Sequence, residues 1–111
     1  MKYDRRKSQR VEVNLPIVWE GVFERCEATI TSLSKNGCFV LSGGRVNPKE
    51  LVRLEIQLPY GDPLYVWAEV VDEAYEIGFA AKFTSPADDK DQARLLKFIA
   101  NALEETETHI I

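Results

Sequence analysis

The sequence predicts an all-β domain: a small six-stranded antiparallel β-barrel with a C-terminal α-helix. Three observations carry this. Apolar residues recur at every second position in short segments along the first 83 residues, the period of strands that bury one face. Clusters of Gly, Pro, Asn and Ser separate those segments, as turns require. After Phe83 the apolar period lengthens to that of a helix. An open sheet of this size would expose two unpaired edges, and closure into a barrel removes them.

Val11, Val13, Leu15, Ile17 and Trp19 alternate with Glu12, Asn14, Pro16 and Val18 to give the first strand. Pro16 cannot donate to a ladder, so an edge position or a bulge is expected there. Cys26, Ala28 and Ile30 alternate with Glu27, Thr29 and Thr31 in the second strand. Cys38-Phe39-Val40-Leu41, between Gly37 and Ser42-Gly43-Gly44, reads as the third. Val52, Leu54, Ile56 and Leu58 mark the fourth, and Pro59-Tyr60-Gly61-Asp62-Pro63 supplies a hairpin loop. Leu64, Val66, Ala68 and Val70 form the fifth strand, and Ile77, Phe79, Ala81 and Phe83 the sixth. Ser85 then offers an N-cap, Pro86 a first helical residue and Asp88 an early acid. Leu95, Leu96, Ile99, Ala102 and Leu103 make one helical stripe, expected to pack on the sheet or on a partner. The organisation that follows is a flexible basic arm over 1–10, a barrel with its helix over 11–104, and a disordered tail over 105–111.

With 111 residues, 45% of them hydrophobic and 29% charged, the chain supports one domain with a core of its own. No apolar run approaches the roughly 20 residues that span a bilayer. The charged opening Met1-Lys2-Tyr3-Asp4-Arg5-Arg6 is not followed by an apolar stretch, so no signal peptide and a cytoplasmic, reducing location are expected. Cys26 and Cys38 do not form a CxxC pair, and the single histidine, His109, lies near the C-terminus. A Cys/His zinc site is therefore not expected, and both cysteines read as buried free thiols. No cofactor and no catalytic role are expected either. His109 lies too far along the chain to serve as a general base, the carboxylates fall on polar faces and in loops, and Gly43-Gly44 lacks the GK[ST] of a phosphate loop.

Charge distribution narrows the class of ligand. Residues 1–10 carry five bases and one acid, a net +4, so the rest of the chain carries −8. An acidic body argues against duplex nucleic acid, whose binding needs a broad basic surface. A compact basic arm suits a small anion. Arg5, Arg6 and Arg10 stand just before the first strand. Arginine pairs bidentately with phosphate oxygens and with the O6/N7 edge of guanine, and its flat face stacks on bases. Taken alone, such an arm also reads as a solvated basic tail. Ser32-Leu33-Ser34-Lys35-Asn36-Gly37, between the second and third strands, groups hydroxyls beside a Gly-containing turn. Alone it is equally a simple Asn-Gly hairpin turn.

The two features together, in this order, resemble the PilZ domain family. Arg6-Lys7-Ser8-Gln9-Arg10 is similar to that family's RxxxR motif, with Arg5 as the doubled arginine. Ser32-Leu33-Ser34-Lys35-Asn36-Gly37 resembles its [D/N]xSxxG motif. Gly37-Cys38-Phe39-Val40 after that motif, Ala68-Glu69-Val70-Val71, and Glu76-Ile77-Gly78-Phe79-Ala80-Ala81-Lys82-Phe83 extend the resemblance over nearly the whole chain. It implies a PilZ-type barrel that binds the bacterial second messenger cyclic di-GMP, changes conformation and signals to a partner protein. By the same resemblance Arg6 and Arg10 would grip phosphates and guanine, and Arg5 would assist. Ser32 and Ser34 would contact the ligand from the barrel surface, and Gly37 would give the turn its shape. Ser32 departs from the pattern: the family has Asp or Asn there, able to accept from guanine N1–H and its exocyclic amine. That departure leaves a second expectation, a PilZ-fold interaction module that has lost the nucleotide and works by protein contacts.

Overall fold

The computed structural model describes residues 9–74, 77–86 and 88–110. Six strands precede one helix: β1 Val11–Glu20, β2 Arg25–Leu33, β3 Gly37–Leu41, β4 Leu51–Ile56, β5 Leu64–Ala74, β6 Gly78–Phe83 and α1 Lys90–Ile110. The strands close into a barrel in the order β1-β2-β3-β6-β5-β4, and β4 returns to pair with β1. Every pairing is antiparallel.

The alternating residues fill the barrel. Leu15, Ile17, Trp19, Val52, Leu54, Ile56, Leu64, Val66, Ala68 and Val70 are all buried. Trp19 and Phe79 meet edge to face, 5.3 Å between ring centroids and 86° between planes. The indole N–H of Trp19 donates to Ser42 Oγ at 3.0 Å, so the ring is buried without an orphaned donor. Ile77 departs from the expected alternation. It lies in the turn before β6, half exposed, and the inward row of that strand is Phe79 and Ala81.

Closure explains how Pro16 is tolerated. β1 has neighbours on both sides, so Pro16 is not on an edge, but a register shift lies between Glu12 and Leu15 immediately before it. The Pro16 carbonyl accepts from Gln57 N at 3.0 Å, one residue beyond the last β1–β4 pair, Ile17 with Ile56. Amide and carbonyl of one strand residue point to the same side. The donor that proline lacks therefore falls where the β4 ladder has already ended.

Two further bulges shape the sheet. Ile30 pairs with Val40 and Ser32 with Phe39, so β2 has one residue too many at Thr31. Val70 pairs with Ala81 and Asp72 with Ala80, so β5 has one too many at Val71. Ile30 and Leu33 are both fully buried although three residues apart, which strict period two forbids and the Thr31 bulge permits.

The helix begins later than the sequence predicts. Its cap is Asp89, whose Oδ1 accepts from Asp91 N at 2.8 Å and Gln92 N at 3.1 Å. Ser85 and Asp91 serve the sheet instead. The β6 ladder stops at the pair Ala68–Phe83, and Trp67 N then donates to Ser85 Oγ and Tyr65 N to Asp91 Oδ2, both at 2.9 Å. These side chains continue the β5 edge where β6 no longer reaches it. Leu95 and Ile99 are buried, with Leu96, Phe98, Ala102 and Leu103 packed beside them, and α1 lies against β5 and β1. The helix continues to Ile110, through most of the stretch 105–111 expected from sequence to be a disordered tail. No Gly or Pro interrupts Glu104–Ile110, so nothing local stops it. No helix among the described residues is long and apolar enough to cross a membrane.

Candidate nucleotide-binding site

The β1 start, the end of β2 and the turn into β3 meet at one end of the barrel. Val11 pairs with Leu33, Glu12 with Ser32, and Ser32 in turn with Phe39. Arg10 is exposed at the mouth of β1, and its Nη1 donates to Ser32 Oγ at 3.1 Å. Residues 22 positions apart in sequence, one from each predicted motif, are thus in direct contact. The bulge at Thr31 makes this possible, since it keeps Leu33 in the core while Ser32 stays on the outer face, half buried.

Ser34, which the family resemblance implies as a ligand contact, is engaged by the turn itself. It is buried, and its hydroxyl is used inside the turn. Oγ accepts from Asn36 N at 3.2 Å and Gly37 N at 3.3 Å, while the Ser34 amide donates to the Gly37 carbonyl at 2.8 Å. Ser34 therefore fixes the turn, leaving Lys35 and Asn36 exposed at its tip. Gly37 also differs from expectation. It opens β3, opposite Lys82, and a Cβ there would overlap the Ala81 carbonyl oxygen. It is the close approach of β3 to β6 that requires glycine, not a turn conformation. Arg5 and Arg6 lie outside the described residues.

Cys38 lies in the core behind this face, paired with Leu33. Burial pushes its thiol up to about 12, and the nearby charge of Arg10 opposes that shift. Cys26 is half buried near the opposite end of the barrel. Its thiol is also raised, first by burial and then by the Glu24 carboxylate, to which it donates at 3.3 Å. Among the described residues no cluster of His, Cys, Asp or Glu could hold a metal ion. The opposite end is occupied with structure: the buried Glu50 carboxylate accepts from Asn47 N at 2.7 Å and from Val22 N, tying two loops together.

The sequence singles out Arg10 and Ser32, which the structure brings together, but not Glu12, the exposed neighbour of Ser32 on β1. In the sequence Glu12 is only the polar half of an alternation. Its place beside the site depends on a register that no local signal encodes.

The sequence profile of the PilZ domain matches residues 4–101. The chain belongs to the PilZ domain family. That family is one of receptor domains for cyclic di-GMP rather than of enzymes. Two solved PilZ structures share this barrel. One is the inhibitor of motility MotI/DgrA of Bacillus subtilis, with a TM-score of 0.73 at 21% identity over 93% of this chain and 53% of that one. The other is the PilZ domain of CeSA from a cellulose-synthesizing bacterium, with a TM-score of 0.67 at 13% identity over 85% of this chain and 97% of that one. This PilZ chain spans about half the length of the MotI/DgrA chain. No curated protein sequence gives a significant match.

Proposed function

We propose that this PilZ domain is a bacterial, cytoplasmic receptor for cyclic di-GMP that changes conformation on binding and so signals to a partner protein. The observation that supports the reading most directly is the 3.1 Å bond from Arg10 to Ser32, because it joins the two motif segments at one surface. Family membership supplies the class of ligand. In the proposed complex Arg10, with Arg5 and Arg6, grips the phosphates and stacks on guanine from one side. The outer face of β1–β3 lies on the other side, with Ser32 facing the ligand and Ser34 and Gly37 holding that face in shape. Bridging the basic segment and the barrel is the conformational change a partner would sense.

Calorimetric titration of cyclic di-GMP into the wild type and into Arg10→Ala tests the reading. The wild type is expected to bind. The variant should lose a charge-assisted hydrogen-bond donor worth about 1.5–3 kcal/mol, which is roughly tenfold or more in affinity. Its ligand-free melting temperature should hardly change, because Arg10 is exposed. A wild type that does not bind the dinucleotide would overturn the proposal.

A further inference from the structure

The position that reads the guanine edge in the family pattern carries Ser32 here, a side chain with one oxygen and no charge. That oxygen is already engaged by Arg10. Directly across the β1–β2 ladder stands Glu12, the register partner of Ser32. Opposite residues of an antiparallel pair project from the same face, their Cβ atoms roughly 4.5–5.5 Å apart. Glu12 and Ser32 therefore share the outer surface at the mouth of the site. The Glu12 side chain is exposed, and its carboxylate forms no hydrogen bond or ion pair with another described residue, Arg10 included. The register shift of β1 begins immediately after it, so this pair is the last regular one before the bulge.

We infer that Glu12 is the specificity-determining residue of this site: its carboxylate, presented from the neighbouring strand, reads the guanine base that Ser32 cannot read. The inference rests on the cyclic di-GMP reading above. A carboxylate has two acceptor oxygens, and guanine offers two adjacent donors, N1–H and the exocyclic amine. Glutamate is longer than aspartate by one methylene, which offsets part of the displacement to the next strand. Adenine lacks this donor pair, because its N1 is an acceptor. A site that accepts from two ligand N–H groups rejects an analogue without them more strongly than shape alone allows. Ser32 takes the complementary part, orienting the Arg10 guanidinium and leaving the carboxylate of Glu12 available to the base.

Titration of cyclic di-GMP and cyclic di-AMP into the wild type, Glu12→Gln, and the double variant Glu12→Gln/Ser32→Asp decides it. The wild type is expected to prefer the guanine dinucleotide. Glu12→Gln should weaken cyclic di-GMP about tenfold or more, by removing one charged acceptor. Its affinity for cyclic di-AMP should be unchanged or higher, since a negative charge near a dianion has been removed. The double variant returns a carboxylate to the same face from the opposite strand and should recover the preference for guanine. Undiminished cyclic di-GMP binding by Glu12→Gln would overturn the inference while leaving the receptor reading intact. So would an equal loss for both dinucleotides, or a double variant no more selective than Glu12→Gln. A wild type that binds neither ligand removes the receptor reading and this inference with it.

Discussion

Gly37 shows how one missing side chain can set the distance between two strands. A Cβ at this position would overlap the Ala81 carbonyl of β6, and backbone cannot swing aside as a flexible side chain can. Gly37→Ala should therefore destabilise the barrel by about 1–3 kcal/mol, the usual range for overpacking a close contact. Urea denaturation measures it as a lower midpoint at unchanged slope. An unchanged midpoint would mean that β3 and β6 are not held tightly there. Cys38 allows a second prediction at this scale. Its folded thiol is raised to about 12 against 9.0 for the free group, so the folded state holds the proton more tightly than the unfolded chain does. The stabilisation is complete below about pH 9 and is lost as pH rises through 12. The stability difference between the wild type and Cys38→Ala should narrow between pH 8 and pH 11, and a constant difference would contradict the burial argument. Of the candidate site residues, the contact between Arg10 and Ser32 was legible from sequence because motif order placed their segments together. The use of the Ser34 hydroxyl by the turn amides was not, because the resemblance implied only a ligand contact for it.

Among the elements, the strands were legible wherever alternation was unbroken, as in Val52–Ile56 and Leu64–Val70. The bulges at Thr31 and Val71 were not, because an extra residue appears only when two strands are set side by side. The start of α1 was misplaced for a related reason. Ser85-Pro86 has the chemistry of a helix start, but β5 continues beyond the last β6 pair and leaves the Tyr65 and Trp67 amides without ladder partners. Ser85 and Asp91 answer those amides, and the cap passes to Asp89. Asp89→Ala should lower stability by about 0.5–2 kcal/mol and reduce helical ellipticity, as loss of an N-cap does. Ser85→Ala should leave the helix signal intact, since it removes a bond to the sheet. If circular dichroism shows more helix lost with Ser85→Ala than with Asp89→Ala, the cap is assigned to the wrong residue.

At the scale of the whole molecule, the proposed ligand would contact three consecutive strands at one end of a closed barrel. The face it needs exists only when β1 has paired with β2, because Arg10, Glu12 and Ser32 come together through that ladder. The unfolded chain offers no equivalent surface. Binding must then stabilise the folded state by mass action, by about 2.7 kcal/mol when free ligand is a hundred times its dissociation constant. For a chain of 111 residues each kcal/mol raises the melting temperature by about 4 °C, so saturating cyclic di-GMP should raise it by roughly 10 °C. Differential scanning calorimetry of the full chain, with and without the dinucleotide, reads this directly. Arg10→Ala should melt at the wild-type temperature without ligand and should forfeit most of the rise at the same ligand concentration. A similar rise in the variant would show that the dinucleotide stabilises the barrel from another surface, and a wild type that melts at the same temperature with ligand as without would mean that it does not bind the folded barrel.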